Sequence, residues 1–278
     1  MKYLWLLAAL LFVQPAAASL RVVSLAPFLS DLMVQLEAEE QLVGVLDDGN
    51  LPESLAHVAR VGGYQTLSPE RILALRPDLV LAWSSGNPSE LLSRLEQWGV
   101  RVERFDPQRL DEIADTTLEL GRLLQASERA EQLVDRYRSD LARLHRPVTE
   151  SAPRVFIQLW DDPLYTVSDQ QLLGDALRHC GAHNVFGDLR ILAPQVGREH
   201  VIAADPELII AFSADPARAH PWLQRWRQFP QLHAVRNKGL RSMDGDSLVK
   251  PTPRVVEGLE ELCALIHGGA GEAAGQGR

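Results

Sequence analysis

Short apolar runs alternate with segments of helical period along most of the chain. Arg21-Val22-Val23-Ser24-Leu25 and Leu42 to Leu46 predict strands, with a helix over Leu29 to Ala38 between them. Ser68-Pro69-Glu70 has the form of a helix start: a capping hydroxyl, proline at the first helical position and an acid in the first turn. That helix ends before Pro77, and Leu79-Val80-Leu81-Ala82-Trp83 reads as a buried strand. Pro88 to Trp98 predicts a helix, Val100 to Phe105 a strand and Asp111 to Leu124 another helix. Ser127 then opens a long amphipathic segment with Ala130, Leu133, Val134, Tyr137, Leu141 and Leu144 on one face, ending at Pro147.

Beyond Pro147 the alternation restarts. Arg154 to Leu159 predicts a strand, Gln171 to Cys180 and Glu199 to Ala204 helices, Leu208 to Phe212 a strand and Pro221 to Phe229 a helix. A last helix is expected from Pro253 or Arg254 to Ile266. Strands alternating with helices imply an α/β fold with mainly parallel sheets. The second half also repeats the first. SPERILALRPDLVLAW, Ser68 to Trp83, lies without a gap over GREHVIAADPELIIAF, Gly197 to Phe212. Glu70 falls on Glu199, Pro77 on Pro206 and Trp83 on Phe212, and the strand at Arg21 has its counterpart at Arg154. Two matches in register read as duplication. The expected organisation is two similar lobes, residues 20–125 and 148–268, joined by a long linker helix over 126–147.

The ends fall outside this pattern. Met1-Lys2, the apolar run Leu4 to Val13 and Ala16-Ala17-Ala18 have the form of a secretory leader over residues 1–19. Ten apolar residues are too few to span a bilayer. Residues 269–278 are rich in Gly and Ala and are expected to be a disordered tail. Export places the chain in an oxidising periplasm, where Cys180 and Cys263 are expected to form a disulfide rather than remain two buried thiols. Closing a loop of about 80 residues would contribute roughly 4 to 5 kcal/mol.

Composition narrows the function. The 278 residues are 46% hydrophobic, with 28 basic against 37 acidic side chains for a formal net charge of −9. An acidic chain with no basic block is a poor match for nucleic acid. The sequence contains no G-x-S-x-G, H-E-x-x-H, P-loop or G-x-G-x-x-G motif, so no enzyme class is indicated and no resident cofactor or metal is expected. His179 and His183 have one-turn spacing but make only two ligands. At least one member of each of the acidic pairs Asp47-Asp48 and Asp161-Asp162 reads as a solvated turn residue. The informative residues sit where strands end, which is where open α/β sheets bind ligands. Tyr64 follows Gly62-Gly63, Trp83 precedes Ser84-Ser85-Gly86-Asn87, and Trp160 and Tyr165 flank Asp161-Asp162-Pro163. Gly245-Asp246-Ser247 and Lys250-Pro251 form a late loop. Aromatics beside Gly- and Pro-rich loops on both lobes point to a cleft that stacks on a large flat ligand.

The motifs LSPERILALRPDLVLAW with SSGN, RVFIQLW, GAHNVFGD, APQVGRE and the closing TPR resemble the helical-linker periplasmic binding proteins for cobalamin, ferric siderophores and haem, and among them the cobalamin binders most. The resemblance covers the chain from Arg21 to Arg254. It implies two α/β lobes, a linker helix that limits closure, no catalysis, and a monomer that delivers a corrinoid to the permease of an ABC importer. It assigns Glu70 and Glu199 to docking on that permease, and Tyr64, Trp83, Tyr165, Asp246 and Lys250 to the ligand, with Trp160 standing in for the aromatic that Leu159 replaces. Tyr64 stands where tryptophan is expected, Leu159 replaces an aromatic, and Ala193 and Ser247 replace tryptophans. A ferric siderophore or haem binder of the same fold is the nearest alternative: catecholates would call for several cleft cations, and haem for an iron ligand such as Tyr64 or Tyr165. An exported hydrolase, needing a nucleophile beside a base, and an adaptor using only the glutamate surface are the alternatives of other classes.

Overall fold

A computed structural model describes residues 19–213 and 216–268, without the side chains of 216–218, 246 and 247. The leader (apart from Ser19) and the tail expected over 269–278 lie outside the described residues.

The N-terminal lobe runs β1 (Val22–Ser24), α1 (Pro27–Gln35), β2 (Leu42–Val45), β3 (Ala59–Arg60), α2 (Pro69–Ala74), β4 (Leu79–Trp83), α3 (Ser89–Gln97), β5 (Val102–Phe105) and α4 (Leu110–Leu123). α5 (Ser127–Leu144) connects the lobes. The C-terminal lobe begins with β6 (Arg154–Gln158), β7 (Trp160–Asp161), β8 (Leu164–Tyr165), α6 (Leu172–His179) and β9 (His183–Asn184). It continues through α7 (Arg198–Ala204), β10 (Leu208–Phe212), α8 (Pro216–Trp226), α9 (His233–Arg236), β11 (Leu240–Met243), α10 (Asp246–Val249) and α11 (Val255–His267).

Both large sheets are parallel. The first has strand order β3-β2-β1-β4-β5 and the second β11-β10-β6-β9, with β7 and β8 forming a separate hairpin. Overlaying β1 on β6 and β4 on β10 brings β2 onto β9 and β5 onto β11, so the second sheet repeats the first without its β3 edge. The duplication extends to single hydrogen bonds. The Arg21 guanidinium donates to the carbonyls of Leu75 and Arg76, and that of Arg154 donates to Ala204 O at 2.7 Å. Each thus caps the carbonyl end of the helix that precedes the paired strand, where a cation is favoured by the helix dipole. The main-chain N–H of Arg21 donates to Asp78, and that of Arg154 to Glu207. Arg76 and Asp205 hold equivalent left-handed conformations, φ 46° and 44°, each just before a proline. Ser68 caps α2 through Arg71 N as its sequence predicts.

Apolar faces of each sheet are covered on both sides. In the N-terminal lobe, Val22, Leu79 and Leu81 pack toward α1, while Val23, Val80 and Ala82 pack toward α2 and α3. In the C-terminal lobe, Phe156, Ile209 and Ala211 pack on α8, and Val155, Ile157 and Ile210 on α6 and α11. Between the lobes, α4 and α5 belong to both cores. Leu110, Ile113, Val134 and Tyr137 join the C-terminal core, whereas Leu120, Leu124 and Ala130 join the N-terminal one.

Two local expectations change, and a third is met. The helix expected from Pro221 starts at Pro216 and contains Pro221: both prolines suit a first helical turn, and the earlier one occupies it. The hairpin β7–β8 and the short strands β3, β9 and β11 were not anticipated, because two to four residues carry too little periodicity to register. Cys180 and Cys263 are disulfide-bonded, with Cα atoms 5.0 Å apart and a sequence separation of 83. The bond ties the end of α6 to α11. From the loop it closes, reduction is expected to lower stability by about 4 to 5 kcal/mol. Urea unfolding with and without a thiol reductant checks this, and coincident curves would contradict it.

Candidate ligand-binding cleft

Each sheet reverses its strand order at one place, between β1 and β4 and between β6 and β10. Loops leaving the carboxyl ends of such neighbours run in opposite directions and open a crevice, the usual ligand position in open α/β sheets. Trp83 ends β4 at one switch point, and Trp160 follows β6 at the other.

On the N-terminal wall, Trp83 is fixed on several sides. Its indole N–H donates to Asp106 Oδ1 at 2.8 Å, Phe28 meets its ring edge-on at 6.2 Å, and Gly86 lies against the ring face. A Cβ at Gly86 would come within 1.9 Å of the Trp83 ring, so the glycine is required there. Asp106 also accepts from Ser85 Oγ and Gln108 Nε2. Tyr64 stands on the loop before α2 and is 44% exposed. That loop closes through Gly63 N to Thr66 Oγ1, with Gly62 at φ 120°, where an added Cβ would strike Thr66 O. Partial burial, and then the nearby Asp48 charge, raise the Tyr64 phenol above its ordinary pKa. Asp47 and Asp48 accept from main-chain N–H groups two residues on, as the turn reading expects.

On the C-terminal wall, Trp160 and Tyr165 are antiparallel partners, so their side chains share one face of the hairpin. Asp161 and Leu164 share the other, and Leu164 joins the core beneath. Asp161 is not a solvated turn residue: it is buried and receives Arg198, Arg225 and Gln158. Trp160 is 47% exposed and donates its indole N–H to Asp162 O. Lys250 is partly buried at the end of α10. The Asp246 side chain lies outside the described residues.

Where the lobes meet, a polar cavity of about 550 Å³ is lined by Gln108, Arg109 and Glu112 from one side and by Asp169, Gln170, Arg178, Gly187 and Asp188 from the other. Gln108 links it to Asp106 and hence to Trp83. Burial raises the Asp169 carboxyl above the usual range. Nearby, Asp175 crosses from α6 to accept Leu110 N at 2.9 Å and pairs with Arg109 and Arg178. On another side, Asp31 of α1 meets Thr252 Oγ1 at 3.4 Å and Arg254 at 3.5 Å. Sequence reading missed Asp106, Gln108, Arg109 and Asp175. The position of Asp106 immediately after β5 was the available signal.

Glu70 and Glu199 begin α2 and α7, which run against β4 and β10, so both acids stand at the strand-carboxyl edge of their lobes. A hydrogen bond from its own main chain, and then one from Ser68 Oγ, hold the Glu70 carboxyl below its ordinary range. Glu199 has a largely exposed side chain and lies 3.6 Å from His200 Nδ1. His179 Nε2 contacts Leu141 O and its ring meets His145 rather than forming a pair with His183. Among the described residues, no three His, Cys, Asp or Glu side chains are grouped to hold a metal ion. No described helix is long and apolar enough to cross a membrane.

Asp106→Ala is expected to cost about 1 to 2 kcal/mol in urea unfolding, because the Trp83, Ser85 and Gln108 donors lose one acceptor. Asp106→Asn, which keeps a carbonyl oxygen, should cost less. An unchanged midpoint in the alanine variant would refute the anchoring of Trp83.

The sequence profile of the family described as periplasmic binding protein matches residues 22–246. A vitamin B12-binding protein of Vibrio cholerae is 30% identical over 247 residues, spanning 88% of each chain. One from Yersinia pestis is 32% identical over 250 residues, 90% of this chain and 87% of that protein. Among solved structures, the periplasmic vitamin B12-binding protein of Vibrio cholerae superposes with a TM-score of 0.74 at 29% identity, over 88% of this chain and 96% of that one. A periplasmic haem-binding protein from Pseudomonas aeruginosa gives 0.73 at 27% identity, over 88% and 92%.

Proposed function

The chain belongs to the periplasmic binding protein family, and from that membership we propose that it captures cobalamin or a related corrinoid in the periplasm and delivers it to the permease of an ABC importer. The observation that carries the reading is the pairing of 30 to 32% identity to vitamin B12-binding proteins with aromatic side chains at both switch points. Stacking on Trp83, Trp160 and Tyr165 supplies apolar contact, and the polar cavity lined by Gln108, Arg109 and Gln170 suits amide side chains of a corrin.

Haem is the second reading, favoured by the likeness to haem-binding structures. Iron ligation by Tyr64 would draw on its phenolate, and the raised Tyr64 pKa opposes that form. A ferric catecholate would need cations converging on the ligand. Arg198 and Arg225 are already turned to Asp161, which leaves Lys250 as the cation of the late loop.

Titrating the purified protein with cyanocobalamin, haem and a ferric catecholate, read by tryptophan quenching, tests the ligand. Saturable one-to-one binding of cyanocobalamin, at least tenfold tighter than either alternative, is the expected result. Binding of another chelate alone would overturn the corrinoid assignment while leaving the transport class standing.

Glu70 and Glu199 are proposed to enter basic sockets on the two permease subunits. Their dipole-stabilising role is small at an exposed first turn, and equivalent acids on two duplicated lobes match a two-fold partner. The double reversal Glu70→Lys and Glu199→Lys should abolish corrinoid uptake while leaving cyanocobalamin affinity unchanged and lowering the melting temperature only slightly. Persistent uptake would remove the docking role.

A further inference from the structure

Trp222 took no part in the reading of the sequence, yet it occupies the C-terminal switch point. It lies on the helix that follows β10, and Trp160 lies just after β6, the two strands between which the sheet order reverses. Their ring centroids are 5.6 Å apart with planes inclined at 59°.

Three contacts set this arrangement. Trp222, Arg225 and Trp226 fall at helical positions three and four apart, on one face of α8. Trp226 Nε1 donates to the buried Gln158 at 2.8 Å. Arg225 reaches the buried Asp161. Trp222 then meets Trp160. The first two contacts satisfy polar groups that burial would otherwise leave unpaired, so folding alone accounts for them. The third differs, because Trp160 remains 47% exposed and its side chain shares the hairpin face of Tyr165, turned away from the core. The N-terminal lobe carries a different aromatic pair at its switch point, Phe28 after β1 and Trp83, the counterpart of Phe212, at the end of β4. There Phe28 is buried, whereas the pair of the C-terminal lobe keeps an indole open.

We propose that Trp222 is a ligand-contacting residue, and that Trp160 and Trp222 together form a corner against which the C-terminal lobe packs the conjugated ring system of its ligand. Two inclined indoles admit one edge of a flat chelate and present a face to its plane, a contact that aromatic offset geometry favours. The inference deepens the corrinoid reading and rests on it for the ligand. Arg225 acts through Asp161 and the hairpin, as a positioning residue.

Cyanocobalamin titration of Trp160→Ala, Trp222→Ala and Trp222→Phe tests the corner, with Trp98→Ala as control. Trp98 lies at the far end of α3, where Arg94 covers its ring at 5.1 Å. Each alanine variant at the corner should weaken binding about tenfold, Trp222→Phe less, and the control not at all. The double alanine variant should lose less than the product of the single losses, because the indoles act as a unit. Melting curves separate misfolding from lost contact: Trp160→Ala removes a half-exposed ring and should lower the melting temperature only slightly. Wild-type affinity in both alanine variants overturns the proposal, as does a loss confined to Trp222→Ala that tracks its melting temperature. If the wild-type protein refuses cyanocobalamin and takes haem, the corrinoid reading fails and the same variants decide the corner with haem. A wild-type protein that takes neither overturns both.

Discussion

Everything at the cleft depends on the packing of α4 against α5, because these two helices are core to both lobes at once. Gly121 of α4 approaches Ala130 of α5 so closely that an added Cβ would come within 2.3 Å of the Ala130 methyl. At the other end, the buried Tyr137 hydroxyl donates to Leu110 O at 2.7 Å, and Asp175 of the opposite lobe accepts from Leu110 N. The first turn of α4 is therefore held by groups from α5 and α6. Burial keeps the Tyr137 phenol protonated far above the ordinary range, so this donor persists throughout neutral pH. Rotating one lobe against the other would uncover Leu110, Ile113 and Val134 together with these polar groups.

Such a shared layer has a direct consequence for binding. A cleft between freely hinged lobes must order itself around its ligand, and that ordering reduces affinity. Here the walls are spaced by a packed core, and the contacts of Asp31 with Thr252 and Arg254 add a second tie across the lobes. Trp83 is likewise held before any ligand arrives, with its N–H engaged by Asp106 and its ring bounded by Gly86 and Phe28. Rigid aromatic walls favour a rigid flat ligand, which brings few rotors of its own.

Much of this was legible in the sequence, for identifiable reasons. The unit from Ser68 to Trp83 carries a cap, a proline, an acid and an apolar run, and each signal is local. The repeat made the two lobes visible, and the structure traces it to paired Arg21–Asp78 and Arg154–Glu207 contacts. Tyr64, Trp83, Trp160 and Tyr165 could be placed beside the ends of strands because strand ends are readable from strands. What escaped depends on distant partners. β7 and β8 have two residues each and exist through pairing with each other. Asp161 looked like a turn acid because its partners Arg198 and Arg225 are remote in sequence. Trp222 went unremarked within the helix expected from Pro221, since no periodicity shows which indole a helix will meet.

The duplicated lobes also separate what the fold demands from what a ligand demands. Strand order, the arginine on the helix carbonyls, and the left-handed residue before proline recur in both halves, so these features are needed to build such a lobe. The switch-point aromatics do not recur in the same form. In the N-terminal lobe the pair is closed by the buried Phe28, although in both lobes the tryptophan N–H is engaged, by Asp106 and by Asp162 O. In the C-terminal lobe the polar ladder of Gln158 and Asp161 is completed below the indoles and leaves Trp160 open. An indole left half exposed beside a satisfied network gains nothing for folding that burial would not supply better. The asymmetry is what the proposed corner predicts: one wall would meet a ligand as a fixed surface, the other as an open pair of indoles.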